Sequence, residues 1–302
     1  MFPIIPASSA AVSGNQEGIF GFGYTTWPNL TSNTNLVSNT GVVSTDVTGV
    51  GTARTNCSAC EYGEDKGIFG FGGAASKVSM TNLVSNVGVV STDVTGVGTA
   101  RDHLAGCSYG EDKGIFGYGL TTGNVSMTNL VTNAGVVGSD VTGVGTARRE
   151  IRACEYGEDK GIFGFGYMVS ATAVTNLVSN AGVVATDTTG VGTARRGQGA
   201  CSYGGDKGIF AYGVASYPTM LTTTNLVSNA GVVATDGAGA GTGRYDLAAT
   251  QYGGDKGICA YGFSSAEVIV SMSNLISNAG VVATDVTGVG TARRGAQACS
   301  FN

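Results

Sequence analysis

The chain has 302 residues, of which 42% are hydrophobic and 12% charged, with 51 Gly, 4 Pro and a net charge of −5. That apolar content over that length can bury a core, so disorder is not expected, and the acidic balance excludes the basic footprint of a nucleic-acid binder. No apolar run approaches a membrane helix, and neither a collagen-like Gly period nor a Pro-rich linker is present.

In chain order, the opening stretch MFPIIPASSA lacks a basic region followed by a long apolar run. It is expected to be a short arm of about residues 1–12 rather than a signal peptide. The first recognisable segment is GIFGFG from Gly18, followed by NLVSN from Asn35, STDVTG from Ser44 and a Thr-Ala-Arg ending at Arg54. The second unit repeats this in full: SACEY (58–62), a turn GEDKG (63–67), IFGFG (68–72), SMTNLVS (79–85), a turn with Asn86 and Gly88, VVST (89–92), and Arg101. The Ile recurs at Ile19, Ile68, Ile115, Ile162, Ile209 and Ile258. The Asn recurs at Asn35, Asn82, Asn129, Asn176, Asn225 and Asn274. The Arg recurs at Arg54, Arg101, Arg148, Arg195, Arg244 and Arg293, at spacings of 47, 47, 47, 49 and 49. Six units fill residues 1–302 as one domain.

Each unit offers four short apolar segments, a to d, separated by turn residues, with no sustained helical period. Four strands in a unit of about 40 to 50 residues is the signature of propeller blades. The expected fold is therefore all-β: a single six-bladed propeller of four-stranded antiparallel blades. Strand alternation would put Phe69 and Phe71 on one face of segment b and Ile68, Gly70 and Gly72 on the other. The aromatic face of one blade could then press on the small-residue face of its neighbour, at Gly21, Gly70, Gly117, Gly164, Ala211 and Ala260. The last residues, ACSFN, match segment a, so the C-terminus can close the ring beside GIFGF. AVSG (Ala11–Gly14) competes for that slot, but lacks the Cys and the aromatic.

This order, Arg101, then GCSYG, KGIFGYG, SMTNLV and GVV, resembles that of kelch-type propellers over the whole chain. It departs from them in the doubled Gly, present only at Gly72-Gly73, and in lacking an aromatic near segment d. The wording NLVSNxGVV…TDVTGVGTAR also resembles tandem repeats of phage and marine viral structural proteins. That resemblance implies a virion setting, with other virion proteins or a host-surface protein or glycan as partners, and several copies of the chain. An intracellular kelch-like protein-interaction scaffold in the cytoplasm is the alternative.

Chemistry-bearing patterns are sparse. Kelch-like oxidases hold copper on His and Tyr, but this chain has one His, His103. No metal or other cofactor is expected. STDVTG faintly resembles the Asp box of six-bladed sialidases, with its spacing off by one and its aromatic missing. The six Arg residues suggest a structural pair with the Asp eight residues earlier, pinning the loop between d and a, rather than a catalytic Arg triad. CSAC (57–60) has redox spacing without a βαβ context, and five Cys share one repeat position, so packed reduced thiols are expected. The sequons at Asn29, Asn56 and Asn124 have no secretory signal beside them. No nucleophile–base set or paired carboxylates stand out, and a glycan-active enzyme is the least favoured reading.

Function should then sit where the repeat breaks: in the b–c loops (24–34, 73–81, 120–128, 167–175, 214–224, 263–273) and the d–a loops (55–59, 102–106, 149–153, 196–200, 245–249, 294–298). In an up-and-down blade these share one face of the ring, and the a–b and c–d turns share the other. The candidate partner-binding residues are Tyr24, Trp27, Lys77, His103, Arg149, Arg152, Tyr167, Met168, Tyr217, Tyr245 and Phe263, rich in the Trp, Tyr and Arg that anchor interfaces.

Overall fold

The computed structural model describes residues 15–301. The expected N-terminal arm and the competing AVSG segment lie outside the described residues. Among those described there is no helix. The frame is six three-stranded antiparallel sheets. Val, Ile, Thr and Phe at strand positions, with Gly at the turns, account for this choice.

One sheet illustrates all six. Its inner strand, Ser58–Tyr62, pairs with the middle strand, Lys66–Gly73, which pairs with the outer strand, Lys77–Val84. The equivalent inner strands are Ala105–Tyr109, Arg152–Tyr156, Gly199–Tyr203, Ala248–Tyr252 and Gln297–Phe301. Each adjoins the next, and Gln297–Phe301 adjoins both Ser58–Tyr62 and Ala248–Tyr252. The C-terminal strand pairs with Glu17–Gly21 near the N-terminus, with Ile19 opposite Cys299. An end-to-end match visible in the sequence is thus realised as backbone pairing.

Segment d differs from expectation. It forms no ladder strand and touches the outer strand through two isolated bridges, Val84 to Val90 and Thr81 to Val94. Side chains interrupt the ladder between them. The Leu83 amide donates to Ser91 Oγ (2.9 Å), and Asn82 Nδ2 donates to the Ser91 carbonyl (3.0 Å). Such local side-chain bonds compete with regular pairing.

The two aromatics of segment b also part company. Phe69 is in the ladder, but the register shifts between Gly70 and Gly72, and Phe71 sits at φ +62°. The expected common face is therefore wrong, because the left-handed residue redirects the chain. Phe69 packs edge-on to Phe22 of the preceding unit at 5.1 Å, while Phe71 meets Phe116 of the following unit at 5.5 Å. The small positions do receive the first aromatic. A Cβ on Gly117 would lie 2.7 Å from Phe163 Cζ, and one on Gly164 would lie 2.6 Å from Phe210 Cζ. Where Cys259 replaces the Phe, Ala211 replaces the Gly, and the two share a core cluster.

The inner-strand cysteines fill the matching gap on the other side. A Cβ on Gly114 would lie 2.5 Å from Cys60 Sγ, and one on Gly161 the same distance from Cys107 Sγ. All seven Cys are free and buried. Burial pushes the Cys57 thiol up to about 11, so it is protonated at neutral pH.

The six Arg side chains join neighbouring units as well as holding their own loop, as Arg148 does by donating through Nη1 to the Thr146 carbonyl at 3.1 Å. Each is wholly buried. Arg148 stacks on Tyr118 of its own unit at 4.4 Å. It donates through Nε to the Phe165 carbonyl (2.9 Å) and through Nη2 to Asn176 Oδ1 (2.6 Å) of the next unit. Its carboxylate is Asp187, 3.9 Å away, not Asp140 eight residues earlier. That carboxylate is itself held by Thr146 N (3.1 Å) and Oγ1 (2.5 Å) and by Asn176 Nδ2 (2.9 Å). The same exchange links Arg293 to Asp46 at 3.8 Å, from the last unit back to the first.

Candidate functional site

The loop face is held together at its centre by a cycle of backbone hydrogen bonds. Asn56 donates to Gly295, Gly295 to Asp246, Asp246 to Gly197, Gly197 to Glu150, Glu150 to His103 and His103 back to Asn56, at 2.7–3.1 Å. All six residues take φ between +49° and +65°. Four of the six are not Gly. A left-handed conformation costs such residues energy unless the surroundings fix it.

Around this cycle the loops form three clusters. In the first, Lys77 lies 3.2 Å from Asp102, which lies 3.2 Å from His103. Burial works against the Asp102 charge, but His103 and Lys77 outweigh it and hold the carboxyl below its usual range. In the second, Arg196 grips Glu150 at 2.7 and 2.8 Å, Arg149 lies 3.6 Å from the same carboxylate, and both guanidinium groups lie over Tyr167. Asn124 braces this cluster by donating to the Tyr167 and Met168 carbonyls. In the third, Arg294 pairs with Asp246 at 2.8 Å and lies over Tyr24, Tyr245 and Phe263. Burial raises the Tyr24 hydroxyl to about 12, so it stays protonated.

Two aromatic tips stand clear of these clusters. Trp27 is 71% exposed and Tyr217 53% exposed, each at the turn of a two-stranded hairpin and each followed by a cis proline. Tyr217 Oη donates to Glu267 Oε1 of the next loop at 2.7 Å. Of the eleven candidate residues, these two are exposed, Arg152 is buried, and the other eight are half-buried.

The opposite face is regular. Gly63 N donates to the Asp112 carbonyl (2.8 Å), and Gly110, Gly157 and Gly204 repeat the bond at 2.7 Å to Asp159, Asp206 and Asp255. Gly253 completes the series on Gln16 (2.8 Å). Each tip Asp also pairs with the following Lys and accepts from the Asn of its own c–d turn, as Asp112 does from Lys113 (2.5 Å) and Asn133 (3.0 Å). The a–b and c–d turns therefore share a face, as expected, and the repeated Asp-Lys of the tip phrase has a hydrogen-bonding task in each of the five units that carry it.

Sequence reasoning missed the centre. The second inner-strand residue is always small: Ala59, Gly106, Ala153, Ala200, Ala249 and Ala298. These line both of two central cavities, of about 40 and 20 Å³. Toward the tips, the fourth residue alternates Glu61, Ser108, Glu155, Ser202, Gln251, Ser300. Glu61 accepts from Ser108 Oγ (3.1 Å) and from Ser300 Oγ. Burial raises both Glu61 and Glu155, with the hydroxyls of Ser300 and Ser108 opposing the shift at Glu61 and the Glu61 charge adding to it at Glu155. The signal was available as ACEY against GCSY, a repeat position that is not constant. Arg294 was equally visible, as the second Arg of Arg293-Arg294.

No protein-family model matches this chain, and no curated protein matches it.

Proposed function

We propose that the six sheets are the blades of one closed six-bladed propeller and that its loop face is the binding surface of a non-enzymatic module. The cycle of six backbone bonds through Asn56 and His103 supports closure, since it returns to its starting residue. The contrast between the faces carries the binding reading. One face repeats the same bonds unit by unit, whereas the other presents Trp27, Tyr217, two different Arg–aromatic clusters and the Lys77–Asp102–His103 group. An asymmetric partner needs distinct groups at distinct places, and exposed aromatic and Arg groups are the usual anchors. The ionic groups of the loop face are engaged with one another, which suits a rigid docking surface rather than acid–base chemistry.

We further propose a virus particle as the setting, with attachment or assembly as the role, on the likeness of the tandem wording to phage and marine viral structural repeats. The partner is a host-surface protein or glycan or another virion protein. The test uses glycan arrays and intact host cells, with the chain labelled at a tip. Wild type is expected to bind, and Trp27→Ser with Tyr217→Ser to lose at least about tenfold, the effect of one hot-spot residue. Binding that survives this pair but fails with Asp112→Asn and Asp159→Asn would overturn the assignment.

A further inference from the structure

The first inner-strand residue is Ser58, Ala105, Gly199 or Ala248 in four units, Gln297 in another and Arg152 in the last. Arg152 and Gln297 stand on inner strands three units apart, and both line the smaller central cavity. Arg152 is only 8% exposed and Gln297 7%. Arg152 Nη1 donates to the Ile151 carbonyl at 2.9 Å, but its Nε has no hydrogen-bond partner, and neither has Gln297 Nε2.

A buried guanidinium normally comes with its counter-charge. Among the described residues no carboxylate lies within ion-pair distance of Arg152. The acidic charges that act on it are those of Asp246 and Glu150. Each is already bonded, Asp246 to Arg294 at 2.8 Å and Glu150 to Arg196 at 2.7 Å. Two buried donor groups, one of them charged, thus line one small space, with Arg152 Nε and Gln297 Nε2 bonded to no acceptor. A volume of about 20 Å³ holds one water-sized occupant. Water would satisfy a hydrogen bond but leave the charge uncompensated, whereas a monatomic anion supplies both.

We propose that the smaller central cavity is an anion site sized for a halide ion, held by the Arg152 guanidinium and the Gln297 amide. The ring of small residues, Ala59 to Ala298, separates it from Glu61 and Glu155, which would repel an anion. Arg152 therefore belongs to the smaller central cavity rather than to the partner surface.

Crystals soaked in sodium bromide test this directly. The anomalous map should show one bromide in the cavity between Arg152 and Gln297. In solution, the wild type should melt higher in sodium chloride than in sodium gluconate at equal ionic strength, gluconate being too large to enter. Gln297→Ala reproduces the residue of two other units and should fold. It should raise the chloride dissociation constant, read from chloride-35 line widths, at least about tenfold, the worth of one hydrogen bond to a charge. Arg152→Met should abolish the chloride-dependent melting shift. A cavity holding only water in the bromide soak, or melting indifferent to the anion, overturns the proposal. If Arg152→Met fails to fold, the wild-type bromide map and the Gln297→Ala titration still decide it.

Discussion

Replacing Arg148 by Ala should remove the joint between two units at one stroke. The side chain is wholly buried, and its loss would leave the Phe165 carbonyl and Asn176 Oδ1 without their donors at 2.9 and 2.6 Å. Each such charge-assisted bond is worth about 1.5–3 kcal/mol. The stack on Tyr118 at 4.4 Å adds about 2 kcal/mol in a desolvated setting. Release of the guanidinium from burial offsets part of this, so the net loss should be about 3–5 kcal/mol, as for breaking other buried charge pairs. That is a large share of the ~5–15 kcal/mol typical of a folded domain. The neighbour Arg149 is the internal control. Its side chain is 30% exposed and only 3.6 Å from a carboxylate already held by Arg196, so Arg149→Ala should cost under ~1 kcal/mol. Urea unfolding followed by far-UV circular dichroism measures both. Equal losses in the two variants, or a loss below ~1 kcal/mol for Arg148→Ala, would refute the reading of these six residues as joints between units.

Further expectations can be checked with the same assay. Gly117→Val should destabilise by about 1–3 kcal/mol or more, because a Cβ there would lie 2.7 Å from Phe163 Cζ. Ala211→Gly combined with Cys259→Phe restores the pairing used in other units, so the double variant should be more stable than the two single changes sum to, read as a double-mutant cycle. Glu155 is raised above its unfolded value of 4.5, so the folded state binds more protons, and its contribution should fall as pH rises above 4.5. Glu155→Gln should therefore gain stability at pH 7 and flatten that part of the profile; an unchanged profile would count against the buried carboxylate pair. Deleting residues 296–302 removes the partner of Glu17–Gly21 and should lower the melting temperature sharply and promote association through the freed edge.

Much of the frame was legible because the repeat states it six times. The inner, middle and outer strands, the match of ACSFN to segment a, and the division into a constant and a varied face all follow from alternation and from where the units differ. Three features were not legible, each for a physical reason. Period-2 reasoning assumes an unbroken ladder, and Phe71 leaves it through a left-handed φ that nothing in the letters Phe-Gly-Phe-Gly announces. Segment d reads as Val-Val-Ser-Thr, yet Asn82 and Ser91 satisfy by side chain what a ladder would satisfy by backbone. Sequence proximity pairs Arg148 with Asp140, whereas the structure gives it Asp187 of the next unit, because a joint between repeats takes its partner from the neighbouring copy. At the site, the aromatic and Arg residues were found as a set. Their grouping around Arg294 and Glu150, and the central contrast of Arg152 with Glu61 and Glu155, required the six inner strands to be seen side by side.

The most direct test of the binding account is a cryo-electron microscopy map of the chain engaged with its partner in an assembled particle. Density from the partner should meet the loop face around Trp27, Tyr217 and the Arg294 cluster, leaving the Asp112-Lys113 tip and its equivalents free. A partner seated on those tips instead, contacting the same Asp-Lys pair in successive units, would contradict it and make the repeated phrase the docking site.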